Sequence, residues 1–277
     1  MESWLCCRGQ VAAASGLRLS RVTSERLWAL AAGCVPDVAP WEIPRIAREA
    51  GFDSSGLWVD PDAGWGKEAL RRTRQCLNDT GIELIDVEPL WLEKSEALQK
   101  TVVEAGIELG ARNVLVVSRE PELHLAQARF ESLCKFAEGQ IRLVLEFGVF
   151  TEVKTMSAAI DFVRQVGSET GGVLIDQMHL NRSGEALPDL DDPRFPYIQA
   201  CDFYADSKTK EGMDYIVAAV DERCTLGEGD ASTAQTDAIR DSTLDVSLEI
   251  RSKTLRESYP DPVERARQIF QRCPERA

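Results

Sequence analysis

Gly171-Gly172-Val173-Leu174-Ile175-Asp176-Gln177-Met178-His179-Leu180 is the stretch that decides the fold. Val173, Leu174 and Ile175 form a short apolar run that reads as a buried strand. Asp176 is a charge just past its end, and three residues later comes His179, one of 2 histidines in the chain. A carboxylate that closes a buried strand is costly unless it is paired or binds a metal. Two other apolar runs close in a similar way, Leu143-Val144-Leu145-Glu146 and Leu244-Asp245-Val246-Ser247-Leu248-Glu249. Three such strand ends in one chain imply that their acids meet at one place.

Outward from that stretch, strand and helix patterns alternate. The predicted strands cover 26–33, 56–60, 82–88, 113–118, 141–146, 172–176, 197–202 and 243–250. The predicted helices cover 41–50, 67–80, 95–109, 122–138, 155–166 and 262–271. Ile43, Ile46, Ala47 and Ala50 show the helical spacing, and Gly51 follows where a left-handed residue is wanted. Residues 183–195, with Pro188 and Pro193, read as loop with room for one short helix; 203–241 read as a long polar connection. Eight strands alternating with helices over about 250 residues predict a parallel (β/α)8 TIM barrel, a single domain in the α/β class. No GxGxxG follows a strand, which disfavours a doubly wound open sheet. Residues 1–24 are expected to be an N-terminal leader, free to be mobile, and 25–277 the barrel.

Composition narrows the partners. A net charge of −14 over 277 residues argues against nucleic acid and against an anionic membrane surface. No apolar stretch approaches the ~20 residues that span a bilayer. The N-terminus has no basic start followed by a long apolar run, so it does not read as a signal peptide. The 8 cysteines are scattered without a CxxC pair, which points to reduced thiols in a cytoplasmic protein rather than to a zinc–thiolate site.

Barrels of this type keep their active sites at the carboxyl ends of the strands. Glu146, Asp176, Gln199 and Glu249 close predicted strands five to eight. Three carboxylates and an amide oxygen make an all-oxygen site for one divalent cation, suited to Mn²⁺ or Mg²⁺ better than to Zn²⁺. The competing use of such strand-end acids is to cap helices or pair with arginine. Glu88 ends strand three and is placed to contact a substrate hydroxyl or to pair. Arg223 and Glu228 lie in the loop after strand seven, in reach of a substrate or simply solvated. Arg251 follows strand eight, where barrels often bind phosphate.

In this order and spacing, a set of short segments resembles the xylose isomerase-like TIM-barrel superfamily, the sugar phosphate isomerase/epimerase group. They are Ala31-Ala32-Gly33, Glu49-Ala50-Gly51-Phe52, Asp86-Val87-Glu88, Leu143 to Phe147, Ile175 to His179, Tyr197 to Asp202, Gly227-Glu228-Gly229 and Ser247-Leu248-Glu249. The resemblance implies one divalent metal on Glu146, Asp176, Gln199 and Glu249, with His179 facing the substrate. Many members carry histidine where this chain has Gln199. It also implies the mechanism: the metal polarises a carbonyl and stabilises an enediolate while Glu146 and Glu249 remove and return the proton. The expected function is a metal-dependent isomerase or epimerase of a sugar, sugar phosphate or keto-polyol. The alternatives are a dehydratase of the dehydroshikimate or inosose type, and a non-catalytic accessory or binding barrel. The expected partner is a small sugar-like molecule, and a homo-oligomer stays open.

Overall fold

Strands β5 (Arg142–Glu146) and β6 (Gly171–Asp176) pair in parallel with Glu146 opposite Leu174, so the two acids that organise the sequence end neighbouring strands. The computed structural model describes residues 26–204 and 213–272. The leader expected over 1–24 lies outside the described residues. Six further strands complete the ring: β1 (Trp28–Leu30), β2 (Ser54–Trp58), β3 (Glu83–Trp91), β4 (Asn113–Val117), β7 (Tyr197–Ala200) and β8 (Asp245–Leu248). They form a closed parallel barrel in the order β1, β8, β7, β6, β5, β4, β3, β2. The chain is therefore a (β/α)8 TIM barrel, as its alternating pattern predicts.

Two apolar clusters follow from the two-residue period of the strands. Ala29, Ile85, Leu115, Val144, Leu174 and Tyr197 belong to the smaller cluster, which fills the barrel interior. The alternate residues, such as Leu145, Val173, Ile175, Ile198 and Leu248, face the helices in the larger cluster. Two residues beyond the interior set, in the same phase, come Glu146 after Val144, Asp176 after Leu174 and Gln199 after Tyr197. The interior thus turns from apolar to polar at the carboxyl ends of β5, β6 and β7.

Helices α1 (Ile43–Ala50), α2 (Lys67–Thr80), α3 (Glu96–Leu109), α4 (Leu123–Phe136) and α5 (Met156–Val166) lie close to their predicted bounds. Gly51 closes α1 at φ 105°, and a Cβ there would come within 2.8 Å of the Phe270 ring. The left-handed backbone and the ring together leave glycine as the fitting residue. That ring belongs to α10 (Pro262–Phe270), so the first and last helices of the ring pack on each other.

Several elements depart from the sequence reading. β1 is shorter than predicted, because the chain turns into a 3-10 helix at Ala32–Cys34. β3 runs on past Pro89 to Trp91, because its register with β4 jumps from Val87 to Leu90 and no ladder N–H is asked of the proline. The short helix expected within 183–195 comes earlier, as α6 (Gln177–Ser183), because Asp176 caps it. The stretch 203–241 is more than a polar connection. It carries α7 (Met213–Asp221), α8 (Thr233–Asp241) and the two-residue strand Arg223–Cys224, antiparallel to Asp202–Phe203. A further helix, α9 (Lys253–Ser258), precedes α10. Among the described residues no helix is long and apolar enough to cross a membrane.

Candidate active site

Asp176 is the hinge of the site. It ends β6, and its Oδ1 accepts the backbone N–H of His179 at 2.8 Å as the cap of α6. That cap sets His179 on the first turn, above the strand ends, with Nε2 3.8 Å from Oε1 of Glu146. The His179 ring meets Phe150 edge-on at 5.1 Å, and its Nδ1 has no hydrogen-bond partner. One donor atom each from Glu146, Asp176 and His179 fall within 4.8 Å of one another. Gln199 is the register partner of Asp176 across β6 and β7, fully buried, and neither its Oε1 nor its Nε2 is bonded. Glu249 follows β8 and is linked to Asp176 through the guanidinium of Arg223.

Arg223 lies between these acids. Its guanidinium is 2% exposed, with Nη1 2.6 Å from Oδ2 of Asp176 and Nη2 2.9 Å from Oε2 of Glu249. The second contact is an ion pair whose angles miss a hydrogen bond, so that Oε2 still lacks a donor. Nε of Arg223 donates to the carbonyl of Ala219 at 2.8 Å, and Nη1 also points at Sγ of Cys201 at 3.3 Å.

Burial and charge set the protonation states. Burial would raise the Asp176 carboxyl, but Arg223 and His179 outweigh it and hold Asp176 below the usual carboxylate range. Burial pushes Glu249 up to about 7 against the pull of Arg223, with Asp176 adding to the rise. Burial, then the charges of Glu249 and Asp176, hold Glu146 well above the ordinary glutamate value. Burial lowers His179 to about 4, so the imidazole is neutral near pH 7.

The other predicted residues divide into two groups. Glu88 is buried on β3, and its carboxyl is raised by burial and by Asp86, Glu249 and Glu146; its Oε1 is unbonded. Arg251 packs its chain over Gly33 and its guanidinium 5.5 Å from the centre of the Trp58 ring. Its charge acts on Glu88, Glu146 and Glu249, which places both Glu88 and Arg251 at the mouth of the acidic interior. Glu228 stands apart. It pairs with Arg272 at 3.2 Å and lines a cavity of about 440 Å³ with Tyr204, Tyr259 and Arg223, a cavity that Glu146, Asp176, Gln199 and Glu249 do not line.

Sequence reasoning missed one pair beneath the site. Oδ2 of Asp86 accepts the Tyr197 hydroxyl at 2.6 Å across the barrel interior, and burial raises that carboxyl to about 6. The available signal was Asp86 and Glu88 two apart on one strand, a phase that points both inward.

A divalent cation fits the donor set. Glu146, Asp176 and His179 form the close group, the orphaned amide of Gln199 lies in register with Asp176, and Arg223 joins Glu249, whose Oε2 is unbonded, to Asp176. The fit requires Arg223 to release or share Asp176 and Glu249.

A closed parallel ring of eight strands with helices around it defines the class of (β/α)8 TIM-barrel proteins. Residues 44–273 match the xylose isomerase-like TIM barrel family, and the chain belongs to that family. Among solved structures, a xylose isomerase-like TIM barrel/4-hydroxyphenylpyruvate dioxygenase fusion protein is similar at 20% identity and a TM-score of 0.72. That match covers 90% of this chain and 42% of the fusion protein, so the chain spans well under half of its length. The IOLI protein, solved with a zinc atom, matches at 15% identity over 89% of this chain and 96% of its own, with a TM-score of 0.70. A D-allulose 3-epimerase from Methylomonas sp., solved with D-allulose, matches at 13% identity over 92% of this chain and 98% of its own, with a TM-score of 0.64. The probable 3-DHS dehydratase AsbF of Bacillus anthracis matches at 16% identity over 91% of this chain and 100% of its own, with a TM-score of 0.68. At these identities the likeness carries the fold. No curated protein matches the chain.

Proposed function

We propose that this chain is a divalent-metal-dependent isomerase or epimerase of a sugar, sugar phosphate or related hydroxy-carbonyl compound. The observation that carries the proposal is the close group of Glu146, Asp176 and His179 at the ends of β5 and β6, with the unbonded amide of Gln199 in register with Asp176 and Glu249 tied to Asp176 through Arg223. Glu146, Asp176, Gln199 and Glu249 would hold the cation, with Mn²⁺ or Mg²⁺ favoured by an all-oxygen set. When bound, the ion supplies a Lewis acid for a substrate carbonyl.

The chain's own groups handle the proton. Glu146 and Glu249 rise from non-adjacent strands, so they approach a substrate carbon from different sides. In the metal-free centre the Glu249 carboxyl is raised to about 7, the range in which a group both takes and returns a proton at neutral pH. Glu146, held up by burial, is the complementary acid. His179 is neutral, and its Nε2 faces Glu146, where it orients a substrate hydroxyl. Glu88 and Arg251 grip the substrate on the side of β3 and β8. Arg223 is the polar group from beyond β7 that reaches the centre.

A dehydratase starts with the same proton abstraction, and the likeness to AsbF supports that second reading. The two differ in whether water leaves. The test is incubation of the Mn²⁺-loaded protein in D₂O with a panel of ketoses, their phosphates and cyclic hydroxy-ketones, read by NMR. Deuterium entry beside a carbonyl with a change of configuration supports the isomerase, and loss of water supports the lyase. A protein that binds no divalent metal and exchanges no panel compound is an accessory barrel, which would sink both.

A further inference from the structure

The strongest cation at the acidic centre belongs to the chain itself. Arg223 Nη1 lies 2.6 Å from Asp176 Oδ2 and Nη2 lies 2.9 Å from Glu249 Oε2, with side-chain exposures of 2%, 0% and 8% for the three residues. A guanidinium keeps its charge at any ordinary pH, and its planar fork spans two carboxylates. The bond from Nε to the Ala219 carbonyl anchors the same side chain from behind. Asp176 accepts the cap bond of α6 on Oδ1 and Arg223 on Oδ2, so both of its oxygens are engaged. Gln199, facing Asp176 across the strands, meanwhile has both amide atoms unbonded.

A divalent ion on Oδ2 of Asp176 would sit against a guanidinium already there. Like charges that close in a dry interior repel strongly. Arg223 also has room to move, since it borders the cavity of about 440 Å³.

We propose that Arg223 is a built-in competitor for the cation: it closes Asp176 and Glu249 in the metal-free centre and leaves them when a divalent ion binds. This inference rests on the metal reading above. Arg223 then sets how tightly the centre holds metal, and the metal-free chain is spared two adjacent bare carboxylates.

The test uses the full chain freed of metal by chelator, as wild type, Arg223→Gln and Arg223→Lys, titrated with Mn²⁺ by calorimetry. Arg223→Gln removes the competitor and is expected to bind Mn²⁺ roughly 100-fold more tightly than wild type, the scale of a buried pair that no longer has to be broken. Arg223→Lys, which keeps charge but loses the fork, is expected in between. Equal, tight binding by all three overturns the inference and leaves the metal reading standing. Mn²⁺ ignored by all three overturns the metal reading, and the inference with it. A measurement on the wild type alone covers the case of variants that fail to fold. Crystals grown with and without Mn²⁺ are expected to differ in the contact of Arg223 with Asp176. A loaded centre with that contact intact overturns the proposal.

Discussion

Asp176 donates nothing and accepts twice: one oxygen takes the N–H of His179 at 2.8 Å and the other takes Nη1 of Arg223 at 2.6 Å. One carboxylate therefore fixes the start of α6 and neutralises a fully buried guanidinium. Local structure and the charge balance of the site are joined at this residue.

The two roles separate in a variant. Asn caps a helix about as well as Asp, so Asp176→Asn keeps the bond to His179 and loses the charge facing Arg223. Arg223 retains Glu249 as its partner. The expected loss is about 3 kcal/mol, the low end for breaking a buried pair from one side. Urea unfolding in the presence of chelator measures it. A variant as stable as wild type would show that the Asp176–Arg223 contact carries no net stability.

Turnover should depend on the two glutamates in a different way. Glu146→Gln and Glu249→Gln remove a proton carrier without changing side-chain size, so the fold is expected to persist. Exchange of deuterium into the substrate should fall at least ~100-fold in each, the low end for acid–base catalysis. Circular dichroism checks the fold and NMR the exchange. Wild-type exchange in either variant would remove that residue from the proton path.

The barrel was legible because most strands show an apolar run and the helices α1, α2, α3 and α5 a 3.6-residue period closed by Gly51, Gly81, Gly110 and Gly167. Glu146, Asp176 and Gln199 could be placed together from sequence because they share the inward phase of Val144, Leu174 and Tyr197. Arg223 could not. It sits 47 residues from Asp176, next to Glu222 and near Glu228, in a stretch whose polarity reads as solvated loop. Its burial depends on a two-residue strand pairing with Asp202–Phe203, too short to leave a period in the sequence. The Asp86–Tyr197 bond spans the barrel from β3 to β7, a contact that only the closed ring defines.

Gln199 is expected to decide the preference among metals in the proposed centre. An amide oxygen is a hard, neutral ligand, whereas an imidazole nitrogen suits zinc and the later transition metals. Gln199→His is expected to shift preference towards Zn²⁺, Co²⁺ or Ni²⁺. Gln199→Leu is expected to weaken every metal, since one donor is gone. Competitive titration of the wild type and both variants checks this. The same affinities and the same order in all three proteins would take Gln199 out of the metal shell.

The buried acid at Asp86 gives a pH dependence whose sign follows from its direction of shift. Burial raises its pKa from 3.8 to about 6, against the pull of the Tyr197 hydroxyl. The folded chain thus holds this proton more tightly than the unfolded chain does. Its contribution to stability is fully present below about 3.8 and is lost as pH rises through about 6. Asp86→Asn removes the titration and keeps an oxygen to accept the Tyr197 hydroxyl. The variant is therefore expected to match wild type near pH 4 and to exceed it above pH 7. At about 1.4 kcal/mol per pH unit the gain at pH 8 is at most roughly 3 kcal/mol. Glu88 remains in both proteins, also raised by burial and by the Asp86 charge, so removing that charge relieves it as well. Urea unfolding of both proteins from pH 4 to 8 gives the difference curve directly. A variant less stable than wild type at pH 8 would mean that the charged carboxylate, held by Tyr197, is the form the folded barrel prefers.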